Sequence, residues 1–207
     1  MKISYAITVC NEKKEVKRLV DFLLYYKRPN DEIVILYDQK NGDEGVIRML
    51  TKLNKLPNFQ VWRGFFDDNF AAWKNKLIEY CTGDYIFQID ADEIPNKVLI
   101  KHLPEILQAN PDNEVYLVPR VNTVEGLTEA HVRQWKWNVN ESGWINWPDY
   151  QWRVWKNKPN IFWKNKVHEK LDGFKTYSLL PAQEELALYH PKDIERQEKQ
   201  NAYYDTL

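Results

Sequence analysis

Three acids in four positions, Asp90-Ala91-Asp92-Glu93, follow directly on the apolar run Tyr85 to Ile89. A buried strand has no use for such a cluster unless something positive meets it. Asp90 and Asp92 are two apart, so extended backbone would point both to one side. Two convergent carboxylates suit a hard divalent cation such as Mg²⁺ or Mn²⁺. The competing reading is a solvated turn whose acids favour the N-terminus of the next helix. Asp38 closes a second apolar run in the same way. An acid there accepts hydrogen bonds from a ribose or base, or simply opens the turn Asp38-Gln39-Lys40-Asn41-Gly42. His168-Glu169 follows a third run, Ile161 to Val167. That histidine is either a third ligand, favouring Mn²⁺ over Ca²⁺, or a surface residue. His102 and His131 read as structural or exposed, and His190 is undecided.

Seven of the nine tryptophans fall between Trp135 and Trp163. Aromatic faces stack on sugars and bases while tolerating varied hydroxyl patterns. Trp152 and Trp155 read as core. Trp135, Trp137, Trp144 and Trp147, beside an irregular stretch, are the candidates for a binding wall.

The elements that must position these residues alternate. Ile3 to Val9 reads as a buried strand, followed by a helix with Val16, Leu19, Val20, Leu23 and Leu24 on one face and Asn11 as its cap. Glu32 to Tyr37, Phe59 to Trp62 and Tyr85 to Ile89 are further strands. Helices carrying Val46, Leu50 and Leu53, and Phe70, Lys74, Leu77 and Ile78, separate them, the latter stopping at Gly83. A helix through Val98, Leu99, Leu103, Ile106 and Leu107 leads to a strand Val115 to Val121. Residues 123–148 read as loop and short helix. Gln151 to Lys156 and Ile161 to Val167 are expected to pair antiparallel across Asn157-Lys158-Pro159-Asn160. The charged tail Asp193 to Tyr204 is expected to be helical. Alternating strands and helices predict an α/β fold, a mostly parallel sheet covered on both faces. Sites in such sheets lie at the carboxyl ends of the strands, which singles out Asn11, Asp38 and Asp90 to Glu93. No repeat or linker interrupts residues 1–207, so one domain is expected.

Composition narrows the function. Lys+Arg 29 against Asp+Glu 30 leaves a net charge of −1, without the basic footprint of a nucleic-acid binder. No apolar run approaches the ~20 residues of a membrane span, and the N-terminus lacks a signal-peptide stretch. Two cysteines, Cys10 and Cys81, exclude a disulfide scaffold and fit a reducing compartment. None of the seven glycines falls in GxGxxG or GxxxxGK spacing, so the usual phosphate cradles are missing.

Taken in order, Ile3 to Glu12, Asp38, Lys74-Asn75, Asp90-Ala91-Asp92-Glu93, Trp147-Pro148-Asp149-Tyr150-Gln151-x-Arg153 and Val167-His168-Glu169 resemble glycosyltransferase family 2. These are inverting sugar transferases of GT-A fold. The likeness is nearest the bacterial branch that extends lipopolysaccharide cores, and it spans nearly the whole chain.

The resemblance implies transfer from a nucleotide-diphosphate sugar, most often UDP-linked, to a hydroxyl of a glycan or glycolipid acceptor. It divides the chain into a nucleotide-binding half, residues 1–95, and an antiparallel acceptor-side half, residues 96–207. It places Thr8, Glu12 and Asp38 on the nucleoside, Lys74 or Asn75 near the diphosphate, and Arg153 on the nucleotide sugar. Asp92 becomes the direct ligand of Mn²⁺ or Mg²⁺, Asp90 faces ribose or metal-bound water, and His168 is a further ligand. Asp149 takes the position of the acceptor-side base, with Glu169 its rival, and Trp144 and Trp147 face the acceptor. The location implied is cytoplasmic, with peripheral contact at the inner face of a membrane left open.

Two features depart from the family pattern: Tyr37-Asp38-Gln39 lacks a second acid or serine, and bulky Phe70 and Trp73 stand where small residues are usual. A sugar-phosphate nucleotidyltransferase is a competing reading, although Cys10-Asn11-Glu12-Lys13-Lys14 has no glycine where its triphosphate loop belongs. A non-catalytic carbohydrate-binding module built on the tryptophans is another.

Overall fold

A computed structural model describes residues 1–204. The first half runs β1 (Ile3–Val9), α1 (Lys13–Tyr26), β2 (Glu32–Asp38), α2 (Glu44–Leu53), β3 (Phe59–Gly64), α3 (Phe70–Ile78) and β4 (Tyr85–Gln88). After the acidic turn come β5 (Ile94–Pro95), α4 (Lys97–Ala109), β6 (Val115–Val118), β7 (Arg120–Glu125) and α5 (Glu129–Trp135). The chain ends with β8 (Gln151–Lys156), β9 (Phe162–Lys164), β10 (Lys170–Asp172), β11 (Tyr177–Leu179), β12 (Leu188–Asp193) and α6 (Ile194–Tyr204).

Seven strands form the central sheet in the order β11-β6-β8-β4-β1-β2-β3. Every neighbouring pair is parallel except those of β8, which runs antiparallel to both β4 and β6. Strand periodicity divides the core between the two faces. Ile3, Tyr5, Ile7 and Val9 of β1 pack with Val16, Leu19 and Leu23 of α1, Val46 and Leu50 of α2, and Leu99 and Leu103 of α4. Ala6, Val34 and Leu36 face the other way, against Trp73 and Leu77 of α3 and the buried Trp155 and Trp163. Asp43, Asn69 and Asn96 cap α2, α3 and α4 through their side chains, which fixes where each helix leaves its strand.

Four expectations need correction. Glu12, not Asn11, precedes α1, and its carboxylate turns back to accept the Cys10 N–H at 2.8 Å instead of capping the helix. α3 ends at Ile78, short of Gly83. Gly83 serves close packing instead, since a Cβ there would lie 2.7 Å from the Ser4 backbone nitrogen. The expected strand Val115 to Val121 is two strands in different sheets, parted at Pro119, which has no N–H to continue a ladder.

The fourth correction changes the architecture. β8 does not pair with the segment after it but inserts into the main sheet, so the second half of the chain completes the sheet begun by the first. Phe162–Lys164 pairs instead with Lys170–Asp172. A three-stranded sheet, β5-β12-β7, stands beside the acidic turn. There Tyr189 of β12 lies opposite Ile94, which delivers His190 to the neighbourhood of Asp92.

Candidate active site

At the carboxyl ends of β1, β2 and β4 lies a cavity of about 960 Å³, bordered by Thr8, Glu12, Asp38, Lys74, Asp90, Asp92, Arg153, His168 and Glu169. Parallel strands all end on this side, so residues far apart in sequence meet there. Asn75 does not reach the cavity. Its amide is committed to Trp163, donating to the carbonyl at 2.8 Å and accepting the N–H at 2.7 Å, which fastens α3 to β9.

The acidic segment is a turn closed by a Glu93 N–H to Asp90 carbonyl bond of 2.9 Å, not an extension of β4. Asp90 and Asp92 still share the cavity wall, by turn geometry and not by strand alternation. Glu93 leaves them. It is fully buried and accepts from Arg153 at 2.6 Å and from Arg120 at 3.0 Å. Arg153 also binds Asp90. Burial would raise the Asp90 carboxyl, but Arg153, Lys74 and Arg120 hold it well below the usual carboxylate range.

Asp92 accepts from Arg196 of α6 at 3.2 Å and lies 3.3 Å from Nε2 of His190. Nδ1 of that histidine lies 2.9 Å from Oδ1 of Asn122, which fixes the ring. Burial pushes the Asp92 carboxyl up, but His190 and Arg196 together leave it below its ordinary value. Asp92 and His190 therefore offer an oxygen and a nitrogen donor side by side, a set suited to Mn²⁺. Among the described residues no group of three His, Cys, Asp or Glu side chains is already gathered as an ion-binding cluster. Sequence reasoning left His190 open. Its signal was visible only in three dimensions, in the pairing of β12 with β5.

Asp38 lines the cavity with its carboxylate already engaged. Oδ1 accepts the N–H groups of Lys40 at 2.9 Å and Phe66 at 3.1 Å, and Oδ2 accepts the Asn41 amide at 2.9 Å. Its visible work is to shape the loop after β2. Cys10 lies beside it. Burial, with Glu12 and Asp38, pushes the thiol up to about 11, so it stays protonated and is no nucleophile.

The two candidate bases are both ion-paired. Glu169 borders the main cavity and binds Lys74, whose ammonium also sits 4.6 Å from the centre of the Trp163 ring. Asp149 lines a second, smaller cavity that shares Arg120, His190, Lys192 and Gln200 with the first. It accepts from Arg120 at 2.6 Å, Asn122 at 2.8 Å and Gln151 at 2.8 Å. Burial raises its carboxyl, but Arg120 and Asn122 bring it below the usual range. Arg120, bridging Glu93 and Asp149, had no role in the sequence reading; an arginine just after the apolar run Val115 to Val118 was its only signal.

Most of the tryptophans expected to form a binding wall stand apart from these two cavities. Trp135 packs on Trp137 and Trp144 on Trp147, with ring centres 4.7 Å and 4.9 Å apart, and only Trp137 of these borders either cavity. The main cavity is walled by Phe66, Phe70, Trp73, Trp152 and Trp163.

A mostly parallel sheet with a carboxylate turn and a basic, aromatic-walled cavity at its strand ends defines an α/β fold of the GT-A glycosyltransferase type. Residues 4–183 match the family Glycosyl transferase family 2, and the chain belongs to it. It is 30% identical over 95 residues to the SPbeta prophage-derived glycosyltransferase SunS of Bacillus subtilis (strain 168), an overlap covering 46% of this chain and 21% of SunS. Its fold resembles that of S. aureus TarS 1-349 in complex with UDP-GlcNAc, at a TM-score of 0.66 and 15% identity, covering 93% of this chain and 59% of TarS. The UDP complex of TarS superimposes at 0.61 with 13% identity, covering 92% and 60%. The chain thus spans about a fifth of SunS and three-fifths of the TarS fragment. No helix among the described residues is long and apolar enough to cross a membrane.

Proposed function

We propose that this protein transfers a sugar from a nucleotide-diphosphate donor, with a UDP-sugar as first candidate, to a hydroxyl of a glycan or glycolipid acceptor. The observation that carries the reading is the meeting of the Asp90–Asp92 turn with His190, Lys74 and Arg153 around one cavity at the strand ends. Family membership and the UDP-GlcNAc bound by TarS support the donor class.

In this reading the nucleoside lies against Thr8 and Glu12 in the pocket that Asp38 shapes. The diphosphate lies between Lys74 and the carboxylate turn. Asp92 and His190 would hold a divalent ion, with Asp90 on the ribose side and His168 on the same cavity wall. Such an ion supplies Lewis-acid stabilisation of the departing diphosphate, an effect worth several kcal/mol. Arg153 keeps Asp90 ionised and in place. Asp149 accepts the acceptor hydroxyl's proton. Three donors hold its carboxylate in one orientation, at the expense of its basicity, whereas Glu169 seats Lys74. General-base help of this kind typically contributes ~10²–10⁴-fold.

A thermal-shift screen of nucleotide sugars, with and without Mn²⁺, tests the proposal. The expected result is stabilisation by one nucleotide diphosphate family, larger with Mn²⁺. Release of pyrophosphate from an NTP and a sugar phosphate would convert the assignment to a nucleotidyltransferase. Sugar binding indifferent to both EDTA and nucleotide would convert it to a binding module.

A further inference from the structure

The corner joining β12 to α6 presents three cations to the main cavity. Lys192 lies near the end of β12, Arg196 and Lys199 lie on α6, and all three border the cavity beside Asp92. Residues 196 and 199 are three apart on a helix and so share a face. The corner is firmly turned, because Asp193 caps α6 by accepting the Arg196 N–H at 2.8 Å.

These charges find few anions in the protein. Arg196 touches Asp92 at 3.2 Å and Glu15 at 3.1 Å. Lys192 donates to the Gln200 amide oxygen, and among the described residues neither Lys192 nor Lys199 has a carboxylate within ion-pair distance. Burial and the neighbouring Arg120 and Arg196 disfavour the Lys192 ammonium despite the attraction of Asp92 and Asp90, and an anion in the cavity would relieve it. α6 also buries no residue between Ile194 and Ala202. Polar contacts tie it down, including Glu198 to His131 at 3.6 Å, so the corner can adjust without opening the core.

We propose that Lys192, Arg196 and Lys199 form a clamp whose grip on the donor's diphosphate adds to that of the divalent ion and persists when the ion is removed, Arg196 exchanging Asp92 and Glu15 for phosphate oxygens. The planar guanidinium offers paired donors to a phosphate, and the two ammonium groups add point charges as the leaving group's charge grows. A clamp of this kind does for the diphosphate what the absent glycine cradle does elsewhere. The inference rests on the donor reading above.

The test is calorimetric titration of UDP, GDP, CDP and dTDP, each against its monophosphate, in EDTA and in Mn²⁺. Wild-type protein is expected to prefer one diphosphate over its monophosphate even in EDTA. The combined variant Lys192→Gln, Arg196→Gln, Lys199→Gln is expected to lose about tenfold or more of that preference, as charge-assisted hydrogen bonds of ordinary strength require. Lys199→Gln alone changes an exposed side chain with no ion pair among the described residues; it leaves the fold intact and still weakens the diphosphate. A wild-type preference that appears only with Mn²⁺, or one that survives unchanged in folded variants, overturns the clamp and leaves the transferase reading standing. Wild-type protein that binds no nucleotide with or without Mn²⁺ overturns both.

Discussion

Single side chains divide the site into parts that separate substitutions can distinguish. Asp92→Ala should abolish Mn²⁺-dependent nucleotide binding while the far-ultraviolet spectrum stays unchanged, because Asp92 contacts Arg196 and His190 at the cavity wall and is no part of the apolar core. His190→Ala should weaken the Mn²⁺ titration more than His168→Ala, since the pairing of β12 with β5 sets Nε2 of His190 3.3 Å from that carboxylate. The reverse order would return the ligand role to His168. Asp149→Asn should spare donor binding and lower turnover ~10²–10⁴-fold, the usual worth of a general base. The pH profile adds an independent readout. Arg120 and Asn122 depress the Asp149 carboxyl despite its burial, so it is ionised throughout the working range. The acid limb of kcat/KM should then lie below about pH 4, under the ordinary carboxylate values. A limb near pH 6 would assign proton transfer to another group.

Between elements, one buried carboxylate does most of the joining. Glu93 ties the acidic turn to Arg120 at the start of β7 and to Arg153 in β8, and the latter is 3% exposed. Removing one partner from such a cluster strands the others, at a cost of about 3–5 kcal/mol. For a chain of this size each kcal/mol shifts the midpoint by roughly 2–4 °C. Glu93→Gln should therefore lower the thermal midpoint by about 10 °C and weaken donor binding with it. An unchanged melt would mean that Asp90 and Asp149 suffice to hold both arginines. This clasp also marks how far the sequence was legible. The alternating apolar runs and helix faces of residues 1–95 revealed the parallel half, and the strand-end rule found Asp38 and Asp90. β8 was misassigned because its apolar run says nothing about its partners, and its neighbours in the sheet lie more than thirty positions away in β4 and β6. The roles of Glu93, Arg120 and His190 depend on that pairing and on β5-β12-β7, so no local pattern could reveal them. The rings that wall the main cavity were hidden for the same reason: density along the chain does not say which tryptophans the fold turns towards it.

Across the whole molecule, carboxylates secure both ends of the sheet, and this predicts how the protein responds to acid. At the end opposite the cavity, buried Glu32 accepts from Ser4 at 2.5 Å, from the Thr82 N–H at 2.7 Å and from Lys2 at 2.6 Å, joining β2 to β1 and to the entry of β4. Burial raises its carboxyl, but Lys2, Ser4 and Thr82 together take it below its ordinary value. Asp90 and Asp149 are depressed in the same direction at the cavity end. A group whose folded value is depressed binds fewer protons folded than unfolded. Its contribution is complete above the unfolded value, about 4 to 4.5, and is lost as pH falls through the folded one. The thermal midpoint should accordingly be level from pH 8 to pH 5 and fall steeply below pH 4. Glu32→Gln should lower the midpoint at neutral pH and flatten the acid slope while leaving nucleotide affinity unchanged, because this end of the sheet is remote from the site. Glu93→Gln should move stability and affinity together. Identical behaviour of the two variants in calorimetry and nucleotide titration would show that the ends are not independent and that the sheet transmits the disturbance from one to the other.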